Sequence, residues 1–171
     1  MPKKTVKSLL KTLKSYAIWD YRYSLPPAFY TSNEWLKYET KHLLRQEWLC
    51  LGQIEEVPTS GDYITLEILG ESLLITRGQD DTVRVLSNVC RHRNMQVAEG
   101  KGRARTFVCP YHAWSYKLDG SLLQAPLMEN VDRTKCGLPE FKSEIWQGFL
   151  FVNLSGKSKP LAPRLTGLDD L

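Results

Sequence analysis

Apolar residues recur at helical spacing near the N-terminus, at Val6, Leu9, Leu10, Leu13 and Tyr16 or Ala17, with lysines on the other face. The pattern predicts a short helix packed against the body of the protein or a partner subunit. A surface-binding or targeting helix is the other use for so basic a segment. Pro26-Pro27 then interrupts regular structure. Thr31-x-x-Glu34 reads as a capping box, opening a second helix through about Trp48 with Trp35, Tyr38, Leu43 and Leu44 among its apolar residues. From Leu49 the pattern shifts to short strands. Residues 63–69 and 72–76 flank Gly70-Glu71, a two-residue hairpin turn with glycine first. Residues 83–89 form a strand that runs into Cys90, and 106–108 a strand that delivers Cys109. Gly100 and Gly102 lie in the connection and suit a returning turn. Asp119-Gly120 marks a hairpin between 114–118 and 121–123. Residues 148–154 make a last apolar strand, and 157–163 have the composition of a linker. The expectation is a mainly β body with an N-terminal helical arm.

At 171 residues, 42% hydrophobic and 25% charged, the chain suits one compact domain with arms rather than two full domains. The net charge of +4 is unevenly placed, because Lys3, Lys4, Lys7, Lys11 and Lys14 precede the first acid and leave the remainder at −1. A basic body for nucleic acid is not supported. No apolar run approaches the ~18 residues of a membrane span, and lysines interrupt every candidate signal core. A cytoplasmic location with no membrane association is therefore expected. Of the four cysteines, Cys50 and Cys136 are read as buried thiols rather than a disulfide, since no secretory context supports one. Asn153-Leu-Ser155 matches a glycosylation acceptor by accident.

The candidate chemistry lies in Cys90-x-His92 and, after 16 intervening residues, Cys109-x-x-His112. Both pairs follow strands, which places them on loop tips that a sheet can hold face to face. Two cysteines and two histidines in alternating order suit a [2Fe–2S] cluster in which two imidazoles replace two thiolates on one iron, which raises the potential of this one-electron carrier. Cys2His2 is also a structural zinc set, usually in the order Cys, Cys, His, His, and a zinc-stabilised interaction module stays open. Arg91 and Arg93 flank His92, either to meet an acidic reductase and tune the cluster or as solvated loop residues. Trp114 and Tyr116 are expected to pack under the cluster rather than conduct electrons.

At Asn88-Val-Cys-Arg-His-Arg93 and Phe107-Val-Cys-Pro-Tyr-His-Ala-Trp-Ser-Tyr-Lys-Leu-Asp-Gly120 the chain resembles the N-terminal part of the alpha subunit of Rieske-type non-haem iron oxygenases. Ala28-Phe-Tyr-Thr-Ser32, Gly61-Asp-Tyr63, Gly137-Leu-Pro139 and Trp146-Gln-Gly-Phe-Leu-Phe-Val-Asn153 extend the likeness across roughly residues 25–171. The resemblance implies a Rieske-type antiparallel β-sandwich with two cluster-binding loops. It puts Cys90 and Cys109 on the inner iron and His92 and His112 on the outer one. Asn94 and Ala113 stand where glycine is commoner; asparagine tolerates a left-handed backbone, and alanine costs little if φ at 113 is negative. Met95 and Tyr111 occupy the positions of the extra disulfide of respiratory and photosynthetic Rieske proteins, and Trp114 that of their cluster-bonding serine. Loss of that donor implies a low potential and the oxygenase type.

In that family oxygen chemistry belongs to a second iron held by two histidines and a carboxylate. This chain has three histidines, and two in the cluster leave only His42. The expected organisation is a helical arm over 1–45, a Rieske domain over 46–156, and 157–171 as the start of a linker to an absent catalytic domain. No catalytic residue is expected. The chain would pass electrons from a reductase or ferredoxin to a mononuclear iron in an oxygenase catalytic domain or neighbouring subunit. A free-standing Rieske ferredoxin is the alternative, against which the helical arm argues.

Overall fold

The computed structural model describes residues 5–15, 24–128 and 130–168, and the chain divides into two compact units, Met1–Glu47 and Trp48–Leu171. In the first, α1 spans Val6–Ser15, α2 Ala28–Thr31 and α3 Asn33–Glu39, which continues as a π-helical turn over Thr40–Leu44. Tyr16 and Ala17 lie outside the described residues. Leu9 of α1 is fully buried with Phe29 and Trp35, whose rings meet edge to face at 4.8 Å. The cap of the second helix is not Thr31. Ser32 is the N-cap, its hydroxyl accepting the Trp35 N–H at 3.2 Å, while the Thr31 hydroxyl bonds back to the Pro27 carbonyl. Pro26-Pro27 nucleates its own helical turn, so the cap falls one residue later. The helix also ends before Trp48, and Leu43 is half exposed rather than core.

The second unit is antiparallel β throughout its pairings. Its strands are β1 (Leu49–Gln53), β2 (Asp62–Ile68), β3 (Glu71–Arg77), β4 (Val83–Ser87), β5 (Lys101–Arg103), β6 (Phe107–Val108), β7 (Ser115–Tyr116), β8 (Leu122–Gln124), β9 (Lys142–Trp146) and β10 (Phe149–Asn153). They form sheets in the orders β1-β10-β9, β4-β3-β2-β5 and β6-β7-β8. The four-stranded sheet is the middle layer. Alternation along β3 and β4 sends Leu73, Ile75, Val83 and Val85 into one core with Leu150 and Val152. Leu74 and Leu86 enter the other core, with Phe107, Trp114 and Tyr116. A strand buried on both faces reads as a continuous apolar run, as Leu73–Ile75 does. The second core also holds Cys90 and Cys109, so packing of the middle sheet sets the floor of the candidate site.

Several boundaries move from their expected places. Ile68 pairs with Glu71, so the β2–β3 turn is Leu69-Gly70 with φ of +50° and +79°. Both central residues are thus left-handed, the backbone that matches strand twist, instead of a turn at Gly70-Glu71. Gly102 sits in β5 opposite Tyr63, where a Cβ would come within 3.1 Å of the phenol oxygen; Gly100 makes the turn. Cys50 is exposed on the edge strand β1 and Cys136 half-buried, which corrects the expectation of two buried thiols; all four cysteines are free.

Residues 158–161 are tied down beside β9 and β10. Lys142 Nζ donates to the Ser158 carbonyl at 2.6 Å, Trp48 Nε1 to the Lys159 carbonyl at 2.9 Å, and Leu161 N–H to Glu144 Oε2 at 2.7 Å. Asn153 is fully buried and bonds the Ser155 and Ser158 hydroxyls and the Lys157 amide. Its triplet is turn chemistry, with no free amide for a glycan.

Candidate metal centre

Two loops of the same construction carry the four candidate ligands. In the first, Cys90 N–H donates to the Met95 carbonyl at 2.8 Å and Asn94 N–H to the Cys90 carbonyl at 3.0 Å. In the second, Cys109 N–H donates to the Trp114 carbonyl at 2.7 Å and Ala113 N–H to the Cys109 carbonyl at 3.0 Å. Each loop closes on its own cysteine and turns through a left-handed residue four positions on, Asn94 at φ +58° and Ala113 at φ +56°. One turn geometry therefore accounts for both positions at which glycine is commoner in the family. The first substitution suits its site, since asparagine adopts this backbone readily. The second does not: φ at Ala113 is positive, so the methyl group there is strained. Ala113→Gly is expected to raise stability by roughly 0.5–1 kcal/mol, the left-handed cost of alanine less the greater entropy of unfolded glycine, measured by urea unfolding.

The loops bring the sequence-predicted residues together in pairs. His92 and His112 stand with ring centroids 4.7 Å apart, 67° between their planes. Cys90 and Cys109 are only 1% and 2% exposed. Among the described residues no group of three or more Cys, His, Asp or Glu side chains is arranged to hold a metal ion, whereas a single tetrahedral zinc needs all four donors around one point. The two adjacent imidazoles and two buried thiols offer two nitrogen and two sulfur donors. Nδ1 of His92 is buried without a hydrogen-bond partner, which leaves its lone pair available to a metal. The residues present thus fit a [2Fe–2S] cluster.

Neighbouring groups settle the protonation states. Partial burial, with His92 and Arg93 adding positive charge, holds the His112 imidazole below its ordinary pKa and so favours the neutral form, the one able to bind a metal. Burial, then the bond to Cys90, pushes the Tyr116 phenol well above its ordinary value. Its oxygen accepts the Arg91 N–H at 3.0 Å and lies 3.2 Å from Cys90 Sγ; a thiolate there has no proton to give, so with a metal bound the phenol O–H is the donor. Tyr116 is fully buried, as its expected packing role asks, and it also shares a hydrogen bond with Cys90, which the sequence did not reveal. Arg91 and Arg93 both face solvent.

A second missed residue is Asn88. It is 1% exposed; Nδ2 donates to the Ala98 carbonyl at 2.9 Å and to Ser72 Oγ at 3.2 Å, and Oδ1 accepts the Ala98 N–H at 3.0 Å. It fastens both ends of the first loop to each other and to β3. The signal was available, since alternation places residue 88 on the same inward face as Leu86.

Comparison with known proteins now bears on this geometry. Residues 47–142 match the model of the Rieske [2Fe-2S] domain. The chain belongs to that family. The oxygenase subunit of carnitine monooxygenase from Escherichia coli strain K12 is 37% identical over 150 residues, 85% of this chain and 40% of that protein. A solved quaternary ammonium Rieske monooxygenase superposes with a TM-score of 0.81 at 34% identity, over 86% of this chain and 41% of the other. Naphthalene 1,2-dioxygenase from Rhodococcus sp. gives 0.84 at 25% identity, over 95% and 38%. This Rieske domain thus corresponds to the cluster-bearing portion of oxygenase alpha subunits and spans about 40% of the carnitine monooxygenase subunit's length. Among the described residues no helix is long and apolar enough to cross a membrane.

Proposed function

We propose that Cys90 and Cys109 hold one iron of a [2Fe–2S] cluster and His92 and His112 the other. The domain then passes single electrons from a reductase or ferredoxin to a mononuclear iron in a catalytic domain, within an oxygenase of neighbouring subunits. The observation that carries the assignment is the unpartnered, buried Nδ1 of His92 beside His112, on loops whose cysteines are both buried. The related quaternary ammonium monooxygenase is described as showing inter-subunit electron transfer, which supports the partner assignment. Likeness to the carnitine monooxygenase subunit supports a quaternary-amine substrate for the whole oxygenase. Four free cysteines favour a reducing, cytoplasmic compartment.

The chain's own contribution is to hold and tune. The two loops bury the cysteine sulfurs, keep the His112 imidazole neutral, and set the Tyr116 hydroxyl against Cys90. The cluster, when bound, exchanges one electron at a time. The test is iron and sulfide analysis with EPR after dithionite reduction. Two irons, two sulfides and an average g below that of an all-cysteine cluster are expected; a colourless protein with one zinc would sink the proposal. Tyr116→Phe should lower the potential, because the donor stabilises the more negative reduced state. A bond worth about 1.4 kcal/mol more to the reduced cluster corresponds to about 59 mV for one electron, read by redox titration.

A further inference from the structure

The second loop carries two aromatic residues at strand spacing, Trp114 and Tyr116, and the first carries two ligands at the same spacing, Cys90 and His92. They meet in antiparallel order. Tyr116 reaches Cys90 through its hydroxyl at 3.2 Å, and Trp114 lies on His92 with ring centroids 4.9 Å apart and planes within 6°. We propose that Trp114 is a positioning residue for His92: parallel stacking on the indole sets the plane of this ligand, while Tyr116 sets the height of Cys90. The two contacts form a ladder that holds the first loop in register with the second. It works without a covalent link, since Met95 and Tyr111 occupy the positions where other Rieske proteins place a disulfide.

Three observations carry the inference. Ligating histidines are ordinarily oriented by a hydrogen bond to the ring nitrogen that does not touch metal; with Nδ1 of His92, buried and unpartnered, as the atom assigned to iron, that nitrogen is Nε2, which has no hydrogen bond among the described residues. Within this chain the ring is held by two aromatic contacts, the edge-to-face His112 ring and the parallel indole of Trp114, and of these the stack is the one that lies along the ring plane. Trp114 itself is 3% exposed and meets His92 with the face of its indole, so the stack is shielded from water. Finally, its neighbour Ser115 pairs with Val108 across β6–β7, which fixes the backbone that presents the ring. Period-two alternation then places Trp114 and Tyr116 on one face.

The inference rests on His92 being a ligand, and the experiment separates the two. Full-chain wild type, Trp114→Phe and Trp114→Met are reconstituted with iron and sulfide. They are compared by reduced-state g values, by iron–histidine vibrations and by the rate of iron release to a chelator. Phenylalanine keeps a stacking face, whereas methionine keeps bulk without one. Trp114→Phe should match wild-type g values and release iron within about twofold of the wild-type rate. Trp114→Met should shift the g values and release iron roughly two- to tenfold faster, the factor set by the strength of an aromatic pair. Wild-type behaviour in Trp114→Met overturns the ladder, as does a Trp114→Phe variant as defective as methionine. Should the methionine variant fail to fold, the phenylalanine variant alone decides: a role met by indole volume would move both its g values and its release rate. Absence of the Rieske signal from wild type would instead defeat the ligand assignment.

Discussion

Reconstituted with iron and sulfide, a Cys109→Ser chain is expected to remain essentially colourless, with less than about a tenth of the wild-type visible absorbance. Second-sphere changes alone cost about 10–100-fold in metal affinity, and removal of a ligand exceeds that. A serine hydroxyl is a poor substitute for the soft thiolate that iron–sulfur clusters take. Position 109 is 2% exposed, so no water can enter to complete the coordination. His92→Ala should behave alike. His42→Ala is the control: that imidazole is exposed on the π-helical turn, stacked on Tyr38 at 4.4 Å in the other unit, and its loss should leave cluster content unchanged. Cys50→Ser should be equally silent. Full absorbance in Cys109→Ser would show that the ligand set has been assigned to the wrong residues.

The candidate ligands could be picked out because their chemistry is written in residue type and spacing alone: two cysteines and two histidines, each pair after an apolar strand. The turn at Asp119-Gly120 was legible for a similar reason. Asp119 accepts the Ser121 amide and hydroxyl, while Gly120 takes φ +82°. Strands β1, β5 and β9 were harder, because each lies at a sheet edge and needs no strict alternation; β5 is a Lys-Gly-Arg triplet, the polar character that guards an edge. Least visible were contacts between distant segments. Nothing local to Trp114 says that its face will meet His92, nor could the sign of φ at Ala113 be read without the hydrogen bond from its amide to the Cys109 carbonyl. The helix cap slipped from Thr31 to Ser32 because both residues are good caps, and the prolines upstream decide between them.

Asn88 shows what a polar residue at an inward position can be worth. Its backbone amide donates to the Ser72 carbonyl and its carbonyl accepts from Val97, so the main chain alone would pair β4 loosely with the far end of the loop. The side chain adds three bonds in a site closed to water, two of them to the peptide groups of Ala98. Asn88→Ala removes all three at about 1 kcal/mol each and leaves the Ala98 N–H and carbonyl short of partners. A loss of about 3–4 kcal/mol is expected in urea unfolding of the cluster-free chain. Asn88→Asp should be no better, since a carboxylate oxygen would then face the Ala98 carbonyl and a charge would be buried without a counter-ion. Because the residue fastens the strand that delivers Cys90, iron release should accelerate in Asn88→Ala even under conditions where the chain is folded. A variant that loses stability yet keeps the wild-type release rate would show that the second loop alone retains the cluster.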